Sequence, residues 1–387
     1  MTLAFTKTPD VLTPEMEAMP TGTPRPPVRI VASTPSPVAS GMTAEQVEEL
    51  GRRLDTIRER IEAERGADDA AYIHAVIKKQ RWLEIGGRAL LFAGILPPAW
   101  IAGTAMLSAA KILENMEIGH NVMHGQWDWM RDPKIHSSTW EWDNTSPAAQ
   151  WKKTHNFEHH TYTNVVGKDR DVGYGILRIS EEQEWRPYYL LNPVINQLLA
   201  IFFQWGVALH DLEAEKILAG EKSWKDALPT LKGIGRKVRK QITKDYLVFP
   251  ALAGPFFLPV LLGNVTANLV RNLWSHAIIF CGHFPDGALQ FDEEQLEDET
   301  RGQWYLRQML GSANLDGGPL FHLMSGNLSF QIEHHLFPDL PSNRYAEIAP
   351  EIRAICAEYG LEYTTGPLWK QYLQVLKKLN RLALPSS

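Results

Sequence analysis

The sequence predicts an all-α integral membrane protein, with four transmembrane helices in two hairpins and a cytoplasmic helical cap that carries clustered histidines. Three observations lead there. Two long stretches with almost no charge are each interrupted near the middle. Nine of the thirteen histidines fall into four short-spaced groups beside those stretches. A strongly basic loop then fixes the side on which the groups meet.

Residues 1–41 hold eight prolines between Pro9 and Pro37, with many Thr, Ser and Ala. Such a segment has too little apolar surface to fold and is expected to be disordered. It lacks a basic start followed by an apolar core, so no signal peptide is expected. Residues 42–82 read as cytoplasmic helices. Thr43 with Gln46 three residues on forms a capping-box pattern. Val47, Leu50, Leu54, Ile57 and Ile61 follow at helical spacing, as an apolar stripe. A second helix is expected over Asp68 to Leu83.

Residues 83–384 form the membrane and catalytic domain. Ala89 to Ala110 is 22 residues without a charge, long enough for a bilayer core of about 30 Å. Pro97-Pro98 breaks it, so two helices in a hairpin are expected. The second would continue through Lys111, Glu114 and Glu117 to His124. A second hairpin is expected over Tyr246 to Cys281, broken at Gly263-Asn264. Arg271 inside it must face protein or the site.

A third apolar stretch, Tyr188 to His210, is settled by parity. A full crossing there would put the last histidine group on the wrong side. The loop 213–245 carries nine Lys and Arg, and basic loops stay cytoplasmic. Lys78, Lys79, Arg81 and Arg88 hold the N-terminal side there too. The segment 188–210 is therefore expected to lie in the membrane plane or re-enter.

The histidines carry the chemistry. His120 and His124 are four apart, and so are His155 and His159, with His160 next in line. His276 and His283 are seven apart, again one helical face. His334 and His335 are adjacent, with Gln331 before them. Neutral imidazole suits Fe, Zn, Cu and Ni, so the nine point to a metal centre. The net charge of −6 and pI near 6.1 give no reason to expect nucleic acid as a partner. Cys281 and Cys356 lie far apart and offer neither a disulfide framework nor thiolate spacing.

Three motifs carry a family resemblance: "HNVMH", "HNFEHH" and "QIEHH", in that order. Over about residues 70 to 370 the chain resembles the membrane-bound fatty acid desaturases, and within them the actinobacterial acyl-CoA desaturases. The resemblance implies a non-haem centre of two Fe ions, O2 as co-substrate and a fatty acyl chain, as its CoA thioester, as substrate. It carries His120 and His124 to the first motif, His155, His159 and His160 to the second, and His334 and His335 to the third. Gln331 stands where the family often has His, and is assigned a supporting role. The family adds one ligand from the end of its last membrane helix. His283, beside Gly282 and Pro285 at the helix exit, competes for that place with His276. The latter lies seven residues deeper, about 10 Å along a helix, and depth favours His283.

Glu117, Glu158 and Glu333 are candidate partners for the outer ring nitrogens. Trp127, Trp129, Trp140, Trp142 and Trp151 are candidate walls of an acyl tunnel, and Lys152, Lys153 and Arg170 candidate contacts for a CoA phosphate. No glycine-rich nucleotide fingerprint or fused haem signature is found, so an external ferredoxin-like or flavin reductase is expected as electron donor, with Arg236 to Lys244 as its docking surface. Membrane lipid is the remaining partner. Two rivals share the histidines. One is a di-iron membrane fatty acid or alkane hydroxylase, separated by its product. The other is a membrane metal transporter or metal-binding protein, separated by metal flux without oxidised lipid.

Overall fold

The computed structural model describes residues 41–385. The expected disordered tail, apart from Gly41, lies outside the described residues. The chain is mostly helical. Helix α1, Ala44–Glu64, begins at the capping box the sequence predicts: Thr43 Oγ1 accepts from the Gln46 N–H and the Gln46 amide oxygen accepts from the Thr43 N–H. Its stripe Val47, Leu50, Leu54, Ile57 and Ile61 is buried. It packs against a cap core that includes Tyr305, Phe337, Tyr345 and Ile348. Burying each such aliphatic side chain contributes about 1.5–3 kcal/mol.

Helix α2, Ala67–Phe92, runs past the expected end at Leu83, so one helix passes from the cap into the first hairpin. Helix α3, Pro97–Leu113, starts at the proline pair, where Pro at the first helical positions loses no needed hydrogen bond. The two backbones touch. A Cβ on Gly87 would lie 2.8 Å from Leu107 N and 2.9 Å from Gly103 O.

The third apolar stretch forms α4, Asn192–Ile201, and α5, Phe203–Asp211, bent by 100° at Phe202. Helix α6, Trp224–Gln241, follows and leads through Ile242–Val248 and Phe249–Leu252 into the second hairpin. Here the expected break is corrected. The chain turns at Gly254-Pro255, where Gly254 takes φ +55°, and α7, Phe257–His283, continues unbroken through Gly263-Asn264. Gly263 is instead a packing notch: a Cβ there would meet Leu91 Cδ2 at 2.5 Å.

The hairpins are joined by buried charge. Asp245 takes Arg88 at 3.1 Å and Lys111 at 2.8 Å, Arg88 also donates to Asn264 Oδ1, and Arg271 donates to the Asp143 carbonyl. Outside, Ile85, Leu96, Ile101, Leu247, Leu252, Phe257 and Leu262 are exposed. Among the described residues no single helix is long and apolar enough to cross a membrane, and the bent pair α4–α5 meets that test only as a pair. The inward Asn264, Asn268, Arg271, Asn272, Ser275 and His276 keep α7 from meeting that test, and all six are buried.

The cap is completed by α8, Arg301–Leu310, α9, Gln331–Leu336, α10, Tyr345–Glu358, and α11, Leu368–Leu382. A short parallel pair, β1 Asn314–Asp316 with β2 Thr365–Pro367, adds the strands that an all-α reading did not include.

Candidate metal centre

Four pieces of chain bring histidines together where the hairpins meet the cap. Beyond α3 the helix widens over Glu114–His120 and ends in Asn121–Met123, presenting His120 and His124. A second widened turn, Lys152–His159, presents His155 and His159, and the following turn His160. Widened i→i+5 turns recur at functional sites. Here the turn lays the His155 and His159 rings nearly parallel, with centroids 5.0 Å apart. His283 is the last residue of α7, and α9 supplies His334 and His335.

The rings form two groups. His120, His124, His155 and His334 offer nitrogens all within 4.8 Å of one another, and His159, His283 and His335 do the same. His120 Nε2 lies 3.2 Å from His334 Nε2, and His335 Nε2 lies 3.3 Å from His283 Nε2. His160 sits between the groups, stacked on His335 at 4.4 Å and edge-on to His124 at 4.6 Å. Thus eight of the nine sequence-selected histidines converge. His276 does not: its Nε2 faces Asn196 Oδ1 at 3.1 Å and its ring stacks on Phe280.

The donor set suits a metal. Nε2 of His124, His155 and His159, Nδ1 of His283 and both nitrogens of His160 are buried without a hydrogen-bond partner. Leaving so many buried polar atoms unpaired is costly, and coordination would relieve it. Burial, reinforced by neighbouring imidazoles, holds His120, His124, His160, His334 and His335 well below the usual histidine range, and therefore neutral. His159 differs. Burial opposes its protonation, but the Asp169 and Asp171 carboxylates outweigh that and raise its pKa.

The outer nitrogens are held by residues that sequence reasoning did not select. His159 Nδ1 meets Asp169 Oδ2 at 2.9 Å. His155 Nδ1 lies 3.5 Å from Asp171 Oδ2. His335 Nδ1 meets Gln308 Oε1 at 3.0 Å, and His334 Nδ1 meets the Tyr345 hydroxyl at 3.3 Å. The acids chosen from the sequence do other work. Glu117 accepts from Tyr72 and Ser342, Glu333 from Tyr363 and Asn314, and Glu158 faces Arg170 and Lys153. Burial pushes Glu117 and Glu333 up to about 7. The Gln331 amide lies 2.9 Å from His283 Nε2, and its oxygen is buried without a partner.

A cavity opens onto His120 and His155 between Met116, Trp142, Trp151, Phe203 and Ile279. Trp142 and Trp151 are therefore walls, whereas Trp127 packs with Ile73 and Val122 in a separate core. The candidate phosphate contacts are engaged within the fold: Lys152 donates to the Ser137 carbonyl, and Lys153 and Arg170 face Glu158 and Glu213. In the expected docking segment, Lys237 bonds Glu141 and Lys244 bonds Asp143, while Arg236, Arg239 and Lys240 stay exposed.

Comparisons with known proteins agree with this architecture. Residues 77–367 match the family model described as fatty acid desaturase. A Mycobacterium tuberculosis protein named NADPH-dependent stearoyl-CoA 9-desaturase is 51% identical over 359 residues, covering 92% of this chain and 84% of that protein. The Synechocystis sn-1 linoleoyl-lipid 6-desaturase is 26% identical over 304 residues, covering 75% of this chain and 82% of its own.

Proposed function

The chain belongs to the fatty acid desaturase family, and from that premise we propose that it is an acyl-CoA desaturase. It takes a fatty acyl-CoA, O2, two external electrons and two protons and leaves a cis double bond and two waters. The observation that carries this reading is the convergence of eight imidazoles, buried or nearly so, into two adjoining groups beside a cavity lined by aromatic and polar side chains. The stearoyl chain and carbon 9 of the mycobacterial relative are the substrate and position proposed here. Neither a hydroxylase nor a metal transporter is favoured by these relatives.

We assign two Fe ions to the two groups. His120, His124, His155 and His334 would hold one, and His159, His283 and His335 the other. His160 stands between them, and Gln331 is in reach of the second. His283, not His276, is the ligand from the last membrane helix. The iron pair supplies the reductive activation of O2 needed to remove hydrogen from an unactivated methylene. The protein's own residues do the rest. Asp169, Asp171, Gln308 and Tyr345 aim the rings. Burial keeps the imidazoles neutral and therefore able to donate. Trp142, Trp151 and Phe203 shape an apolar wall that holds a carbon pair near the centre and limits water.

We further propose four spans in two hairpins, with the centre on the cytoplasmic side. The support is the inverted distribution of polarity, apolar residues outward and Arg88, Lys111, Asp245 and Arg271 inward, which suits a lipid surround. The 100° bend supports a re-entrant α4–α5. The domain division keeps residues 42–82 in the cytoplasmic cap, although α2 carries the cap helix straight into the first hairpin. The electron donor is an external ferredoxin-like or flavin protein meeting the cytoplasmic face, where Arg236, Arg239 and Lys240 remain open to an acidic partner.

Expression in a host with a simple lipid profile tests the reading. A new double bond located by mass spectrometry is expected at carbon 9 of saturated acyl chains. A hydroxylated product, or no oxidised lipid, would overturn it.

A further inference from the structure

His210 belongs to none of the histidine groups that spacing selects, yet the fold delivers it to the site. It stands near the end of α5, beyond the bend, with a side chain only 4% exposed. Its Nε2 lies 2.9 Å from Asp171 Oδ1. The other oxygen of that carboxylate, Oδ2, lies 3.5 Å from His155 Nδ1 and 3.7 Å from His159 Nδ1. The same loop is fastened to α5 a second time, because Arg170 donates to the His210 carbonyl oxygen at 2.7 Å. The Tyr174 ring meets the imidazole at 5.2 Å and limits its rotation. Apart from this charge contact with Asp171, both nitrogens of His210 are buried without a hydrogen-bond partner among the described residues.

We propose that His210 is a positioning residue for the metal centre: it fixes the Asp171 carboxylate, which in turn holds the His155 ring with Nε2 toward the ion. The proposal rests on the assignment of His155 as a metal ligand. A carboxylate is broad in its terminal torsion, so contact from imidazoles on Oδ2 alone leaves it free to turn. Contact at Oδ1 removes that freedom. His159 depends less on this arrangement, because Asp169 already holds its Nδ1 at 2.9 Å. The effect should therefore fall on the His120–His124–His155–His334 group. It also ties the re-entrant segment to the ligand set, since His210, Asp171 and His155 all line the cavity.

The test uses the full chain, stripped of metal and titrated anaerobically with Fe(II), in two variants. His210→Leu keeps a similar volume and removes the contact. His210→Gln keeps an amide that can still reach Asp171. The Leu variant is expected to bind one of its two irons about tenfold more weakly, the lower end of the effect of removing a ligand's support. Its Mössbauer spectrum should change at that iron alone. The Gln variant should recover most of both. Wild-type iron affinity and spectrum in the Leu variant, whatever its activity, would overturn the proposal. Equal weakening in both variants at unchanged melting temperature would overturn it too, because ring shape and not the contact would then matter. A wild-type chain that binds fewer than two irons would overturn both this proposal and the metal-centre reading beneath it.

Discussion

Asp169 offers the sharpest single perturbation of the site. Its Oδ2 meets His159 Nδ1 at 2.9 Å and accepts from the Asn164 N–H at 2.8 Å, while Oδ1 accepts from the Asp171 N–H at 2.9 Å. The residue is buried. Asp169→Ala would strand two buried donors and one partly buried donor, at about 1–3 kcal/mol for each buried one, enough to unfold the loop, so it is a poor probe. Asp169→Asn keeps the volume and one acceptor oxygen but sets an NH2 against a donor that had faced an oxygen. Loss of such a carboxylate–imidazole contact lowers metal affinity by about 10–100-fold, or about 1.4–2.8 kcal/mol. The loss should fall chiefly on the His159–His283–His335 group, since the Asp169 side chain meets His159 directly and reaches His155 only through Asp171. Chelator competition on the iron-loaded variant should therefore become biphasic, with one iron released early and one at the wild-type point. A single phase, shifted or unshifted, would refute the reasoning that the two groups are held separately.

Acidification should act in the same order. Metal needs neutral imidazole, and His159 alone among the cap histidines described above has a raised pKa, so it protonates first as pH falls. Iron should leave its group at a higher pH than it leaves the first group, whose pKa values burial pushes down. His276→Phe should retain two irons per chain, whereas His283→Ala should lose one, measured by elemental analysis. Gly87→Leu should separate α2 from α3 and cost about 1–3 kcal/mol or more as overpacking, seen as a lower melting temperature. Cysteines at Lys134 and Lys225 should both be labelled from the cytoplasmic side, and labelling of position 225 from outside alone would show that α4–α5 spans.

Much of this was legible in the sequence because it is local. The stripe from Val47 to Ile61, its capping box and the turn at Pro97-Pro98 depend on neighbours within a turn of the chain. The histidines were legible because ligands from one helix recur at its period. The break in the second hairpin was misplaced because Gly263 resembles a turn residue, whereas its role is to let Leu91 approach. The acids that support the rings differ from the candidates beside them in the chain for a related reason. Glu333 beside His334, and Glu117 three residues before His120, look close in the chain. Adjacent residues on a helix face different ways, so Glu333 turns toward Tyr363, and the widened turn over Glu114–His120 shifts Glu117 off the α-helical i, i+3 alignment with His120, toward Tyr72. Asp169 and Asp171 reach the rings from the loop after Asn164, which adopts φ +57°. His210 arrives from a separate segment. Neither leaves a periodic signal, although two aspartates in "KDRD" soon after the second motif are a hint.

The central claim is that two groups of imidazoles hold two irons. Crystals of the iron-loaded chain, measured on either side of the iron absorption edge, test it most directly. Two anomalous peaks are expected in each molecule, one among His120, His124, His155 and His334 and one among His159, His283 and His335. A single peak, a zinc signal in place of iron in active protein, or a peak beside His276 would contradict it.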